Sequence, residues 1–216
     1  MCEIKSFTNF EKKMGSINDY FISQRAAELN ESATLAMSQK TRELKSKGID
    51  VINLSIGEPD FFVPNFIKEA AKQAIDDNYS FYPPVPGYPE LRQMIAQKLR
   101  RDNHLDYDPS QIVVSNGAKH VIANIFLTIL NKGDEVLIPV PYWVSYPPLV
   151  QIADGKPVYI KSDFNKDFKI TADDIERHIT PKTKAFIFSS PNNPSGKVYS
   201  YEELKEWASV FAKHPE

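Results

Sequence analysis

From Ile112 onward the chain repeats one pattern: a short unbroken apolar run, a turn, and a stretch with helical spacing. Four of the runs read as strands, at about 112–115, 135–139, 157–160 and 184–188, with helices at about 117–130, 144–153, 172–178 and 201–213 between and after them. Strands that are apolar at successive positions are buried on both faces, and a helix between consecutive strands is the crossover that parallel pairing needs. The pattern predicts an α/β fold, a largely parallel sheet with flanking helices. Two helix starts are spelled as capping boxes, Thr171 with Asp174 and Ser200 with Glu203. In such a box the first side chain accepts from the third residue's N–H, and the third side chain accepts in return.

Upstream the spacing is less regular. Residues 1–16 show no periodicity and read as a tail. Helices are expected from about Asn18 to Glu28 and from Ser32 to Lys47, the second closed by Gly48, followed by a short strand over Val51–Leu54. Pro64 and Pro89 open two more helices, since a proline at the first helical position forfeits no intrahelical bond. The expected organisation is a tail over 1–16, an N-terminal arm with the helical part of a small domain over 17–60, and a large domain over 61–216. His214-Pro215-Glu216 follow a helix where a parallel sheet is expected to run on into another strand, so the large domain reads as incomplete.

Composition narrows the partners. The formal net charge of −2 over 216 residues gives no chain-wide basic field, so neither nucleic acid nor an anionic membrane is the expected partner. The single cysteine, Cys2, excludes an internal disulfide framework, and the four histidines lack metal-ligand spacing, so no metal is expected. The start carries no basic-then-apolar leader, and no run is long and apolar enough to span a bilayer. The expectation is a cytoplasmic enzyme.

Five segments carry chemistry. Ser190 to Gly196, SPNNPSG, follows the apolar run Phe186-Ile187-Phe188; the prolines restrict the backbone before them, so Asn193 is held in a fixed direction. Ser115 to Lys119, SNGAK, leaves a strand and enters a helix, where free N–H groups, the helix dipole and a lysine favour an anion. Pro141 to Pro147, PYWVSYP, sets aromatics beyond the carboxyl end of a strand, where ligands of α/β sheets bind. Trp143 there can stack on a flat ring, whereas Tyr142 and Tyr146 read as an aromatic cap over the helix below. The stiff segment FYPPVPGYPELR presents Tyr82, and in IGEPDF Gly57 admits close backbone approach. Taken singly, each segment also has a plain reading as a turn or surface loop, and His120 reads as a packing or surface residue.

In this order, IGEPDF, YPPVPGYPELR, SNGAK, PYWVSYP and SPNNPSG resemble the class I pyridoxal-phosphate aminotransferases of fold type I, from about Ser32 to the end. Within that family the wording, including NESATLAMSQK, is most similar to the bacterial-type aspartate aminotransferases. The resemblance implies pyridoxal 5'-phosphate as cofactor, amino-acid and 2-oxo-acid substrates, and a homodimer. It implies that Gly117, Ala118 and Lys119 hold the cofactor phosphate, that Trp143 stacks on the pyridine ring, and that Asn193 hydrogen-bonds its phenolic oxygen. Gly57 would meet the substrate α-carboxylate, Lys119 the distal carboxylate of an acidic substrate, and Tyr82 the phosphate of the neighbouring subunit, with Ser32 and Thr34 assisting.

The lysine that carries the cofactor, the aspartate that faces the pyridine nitrogen and the arginine that clamps the α-carboxylate have no counterpart in these 216 residues, so no catalytic residue is assigned. The chain alone is expected to be inactive. Another fold type I enzyme, a lyase or decarboxylase, would use the same contacts, and a non-catalytic ligand-binding module is the alternative from a different class.

Overall fold

The computed structural model describes residues 22–29, 33–54 and 56–215, and by internal contacts the chain divides into two units, Met1–Ala36 with Ile122–Glu216, and Met37–Val121. The tail over 1–16 and residues 18–21 of the helix expected from Asn18 to Glu28 lie outside the described residues; its described part is helical only over α1, Gln24–Ala27.

The first unit is built on three parallel strands, β1 (Glu135–Val140), β2 (Lys156–Lys161) and β3 (Thr183–Phe186), in the order β2-β1-β3. Side chains of a strand alternate between faces. In β1 the alternation is complete: Val136 and Ile138 enter a cluster with Phe126, Leu130, Tyr146 and Val150, while Leu137 enters another with Ile160, Ile170, Ile175, Trp207 and Val210. Both faces of the central strand are therefore covered by helices. One face takes the helices Gly117–Ile129 and Tyr146–Ile152, and the other takes Ala172–Glu176 and Tyr201–Phe211. Val136, Leu137 and Ile138 are fully buried, worth about 1.5–3 kcal/mol each against exposure. The apolar runs are the strands because only this sheet can bury them.

Both capping boxes form, Asp174 N to Thr171 Oγ1 at 3.2 Å and Glu203 N to Ser200 Oγ at 3.2 Å, each with the reciprocal bond. The helix expected over 144–153 begins two residues later, at Tyr146, because Pro147 and Pro148 fit only the first turn, where no intrahelical N–H is needed. The one expected over 172–178 stops at Glu176.

In the second unit, the helices Asn65–Asp76 and Pro89–Asn103 follow Pro64 and begin with Pro89 as the sequence predicts. The helix Ala33–Ser46 ends at a turn in which Gly48, at φ +77°, lets Ile49 N reach Leu44 O at 3.2 Å. Two expected strands are absent among the described residues. Val51–Leu54 has no ladder, and Ile52 and Leu54 are 85% and 89% exposed. Ile112 is extended, yet the backbone bond of this stretch goes from Val114 N to Pro86 O at 3.0 Å, into the proline segment. An apolar run becomes a strand only with a partner strand, and neither segment pairs with one among the described residues.

Candidate functional site

In the first unit the chain leaves β1 towards β2 on one side and returns to β3 on the other. Loops that depart in opposite directions from adjacent parallel strands open a crevice at their carboxyl ends. Pro139 deepens it. The β1 to β3 register runs to Leu137 opposite Phe186, with Ile187 N bonded to Leu137 O at 3.0 Å. In a parallel ladder the next bond would come from the N–H of residue 139, which proline lacks. Past that point the two segments diverge, one into Pro141-Tyr142-Trp143 and the other into Ser190 to Gly196.

Trp143 is half-buried and packs against the cluster of Val136, Ile138 and Val150. Its ring stands edge-to-face on Tyr146 at 5.6 Å and 87°. Tyr146 is buried in that cluster, and Tyr142 stacks on Tyr159 at 5.4 Å and 14°. The pKa of the Tyr159 hydroxyl is pushed up to about 12, first by burial and then by its bond with Tyr142. Both Tyr142 and Tyr146 thus support the turn that carries Trp143.

The Ser190 to Gly196 turn is closed by Gly196 N to Asn192 O at 2.8 Å and Asn192 N to Lys197 O at 2.7 Å. Asn193 is exposed, its N–H donates to Ser189 Oγ at 3.2 Å, and the Asn193-Pro194 bond is cis. The two segments are joined directly: Asn192 Nδ2 donates to Pro141 O at 3.1 Å. Of the residues singled out from the sequence, the first unit thereby brings Trp143 and Asn193 onto braced neighbouring loops. Thr34, in Ala33–Ser46, is half-buried, and Ser32 lies outside the described residues.

In the second unit, Gly117 opens the helix Gly117–Ile129 at φ +79°, a conformation that disfavours a side chain, and a Cβ built there meets no atom within 4 Å. Ala118 and Lys119 lie exposed on the same first turn. The first four N–H groups of a helix have no intrahelical acceptor, and they point out of its end. His120, read from the sequence as packing or surface, ties down the turn before this helix. Its Nδ1 accepts from Asn116 N at 3.1 Å, so the neutral ring carries its proton on Nε2. The proline segment that carries Tyr82 is docked within this unit through Pro86 O, and Gly87, at φ +101°, lets it approach Val114 closely. Tyr82 is fully exposed and Gly57 is exposed, and a Cβ at Gly57 would also meet no atom within 4 Å. Among the described residues no cluster of histidine, cysteine and carboxylates could hold a metal, and no helix is long and apolar enough to cross a membrane.

Asn192 and Tyr159 escaped the sequence reading, as did the bond by which His120 fixes the turn at Asn116. Asn192 alone carried a signal, as part of the turn already singled out; its partner 51 positions away did not.

The chain is 50% identical over 194 residues to the probable aspartate/prephenate aminotransferase of Rickettsia bellii, covering 90% of this chain and 49% of that protein. It is 49% identical over 189 residues to the aspartate aminotransferase of Bacillus sp. strain YM-2, covering 88% of this chain and 48% of the relative. The solved aspartate aminotransferase of Thermus thermophilus with maleate superposes with a TM-score of 0.86 at 41% identity, over 89% of this chain and 50% of that one. The chain thus spans about half the length of the relatives it matches. Its fold is that of the aminotransferases with which it superposes, a partial domain with a parallel sheet and flanking helices. The model of aminotransferase class I and II matches residues 49–215, and the chain belongs to that family.

Proposed function

We propose that the full-length counterpart of this chain uses pyridoxal 5'-phosphate to move an amino group from an amino acid, aspartate foremost, to a 2-oxo acid. The observation that carries the reading is the crevice at the carboxyl ends of β1 and β3, with Trp143 and Asn193 on two loops tied by the Asn192 to Pro141 bond. The residues fit the cofactor's chemistry. A half-buried indole backed by the core suits a flat heteroaromatic ring, and an exposed amide beside it suits a phenolic oxygen. Open space over Gly117 at a helix start suits a phosphate.

In this reading Trp143 stacks on the ring, Asn193 donates to its phenolic oxygen, and Gly117, Ala118 and Lys119 hold the phosphate. When bound, the cofactor supplies an electron sink for an amino acid losing its α-proton. The side chains named here bind and orient, and none is assigned a proton transfer. Gly57 receives the α-carboxylate through its backbone, and Ser32 and Thr34 assist. Lys119 also faces the distal carboxylate of an acidic substrate, in keeping with maleate, a dicarboxylate, in the Thermus structure. The division into an arm with part of a small domain over 17–60 and a cofactor-binding domain from 61 is part of the same proposal, as is a cytoplasmic location.

A homodimer in which Tyr82, fully exposed on its stiff proline segment, completes the neighbouring subunit's site is part of the same proposal. The test of substrate class is Lys119→Ala in the full-length protein. The KM for aspartate should rise far more than that for an apolar amino acid. Equal losses would confine Lys119 to the phosphate, and a protein that transfers no amino group from any amino acid would overturn the proposal.

A further inference from the structure

We infer that Asn192 is a positioning residue, whose side-chain amide holds the Pro141-Tyr142-Trp143 segment at a set distance from Asn193. This rests on the cofactor site proposed above and adds to it the part that fixes its width.

Asn192 is half-buried and bonded in two directions. Its Oδ1 accepts from Ser195 N at 3.1 Å and Ser195 Oγ at 2.9 Å, inside its own turn. Its Nδ2 donates to Pro141 O at 3.1 Å, on the other segment. The two donors on Oδ1 fix which way the amide faces, so the NH2 group must meet the carbonyl. Its backbone N–H and C=O close the 192–197 turn, so the side chain projects from a rigid base. Because Pro139 interrupts the β1 to β3 ladder, backbone pairing does not set the separation beyond Ile187. The amide bond does so instead, two residues from Trp143 and one from Asn193. The far side of the Pro141 to Trp143 turn is held by the stack of Tyr142 on Tyr159. Release of the amide would loosen the side of the turn that faces Asn193.

The chain has two tryptophans, Trp143 and Trp207, and Trp207→Phe keeps an aromatic ring among Phe186, Phe188 and Tyr199 while making Trp143 the sole indole. In that background, quenching of Trp143 by acrylamide reports its exposure, and quenching by pyridoxal phosphate reports ring stacking. Asn192→Asp retains the acceptor for Ser195 but sets an oxygen against the Pro141 carbonyl. It should raise the acrylamide constant and weaken pyridoxal-phosphate quenching about tenfold, or about 1.4 kcal/mol. Ser195→Ala, which removes only the hydroxyl bonds within the turn and leaves Ser195 N donating to Asn192 Oδ1, should change neither. Asn192→Ala should move both readouts in the same direction by less, and it decides the matter if circular dichroism shows Asn192→Asp unfolded.

Trp143 quenching unchanged in the folded Asn192 variants, or changed equally by Ser195→Ala, would overturn the inference. If pyridoxal phosphate fails to quench Trp143 with Asn192 intact, the cofactor reading fails, and the acrylamide comparison still judges Asn192.

Discussion

Replacing Glu135 by Gln should lower stability by about 1–2 kcal/mol at neutral pH, and the loss should vanish in acid. Glu135 starts the central strand with 7% of its surface exposed, and its carboxylate is held by Thr180 Oγ1 at 2.7 Å and Lys156 Nζ at 2.9 Å. A hydrogen bond to a charged group is worth about 1.5–3 kcal/mol net. The Lys156 side chain is 65% exposed, so solvent screening reduces its share to about 0.5 kcal/mol. Glutamine still accepts from Thr180 but turns an NH2 towards the ammonium, which leaves roughly half of the total. The Thr180 bond, then Lys156, holds the Glu135 carboxyl below its ordinary 4.5. A depressed folded pKa means that the carboxylate's contribution is complete above 4.5 and is lost as pH falls through the folded value. Urea unfolding of both proteins at pH 7, 5 and 3 should show a gap at the first two that closes towards the third. Adding 1 M salt should remove the Lys156 share and spare that of Thr180. A gap that is absent at pH 7, or the same at pH 3, would refute the assignment.

Gly155→Ala should cost about 1–3 kcal/mol in urea unfolding, because its Cβ would stand 2.8 Å from Leu130 Cδ1 and 3.0 Å from Val150 Cγ1 in a filled core. Thr171→Ala removes both the acceptor for Asp174 N and the hydroxyl bonded to Asp174 Oδ2, and should cost about 1 kcal/mol by thermal melting. Pro139→Ala supplies the N–H that the β1 to β3 ladder lacks. Its amide should become protected in hydrogen exchange, with stability changed by less than about 1 kcal/mol as the new bond offsets the greater freedom of the unfolded chain.

The first unit was legible because its signals are local. Val136, Leu137 and Ile138 stand in one run, and such a run must be covered on both sides. Thr171 and Asp174, or Ser200 and Glu203, cap helices through atoms three residues apart. The failures share one cause. Ile112–Val114 and Val51–Leu54 have strand composition, but strand identity is a relation to a second segment, and composition does not name that segment. For Val114 the partner was Pro86, inside the stiff segment read only as presenting Tyr82.

The residues proposed to bind the cofactor divide along the same line. Trp143, Asn193 and Gly117 were singled out because each sits in a turn whose prolines or glycine announce a constrained backbone. What braces those turns was invisible. Asn192 differs from Asn193 by one position and in no chemical property, yet Asn192 is turned inward onto a carbonyl 51 positions away while Asn193 is exposed. His120 capping Asn116 is a local pair, but a histidine four residues on from an asparagine has many other uses, so spacing alone did not select it. The division has a physical basis. A presented group needs a backbone that holds it outward, which proline and glycine signal in the sequence. A bracing group needs only a donor or acceptor at a distance set by the finished fold, and almost any polar residue qualifies until that fold exists.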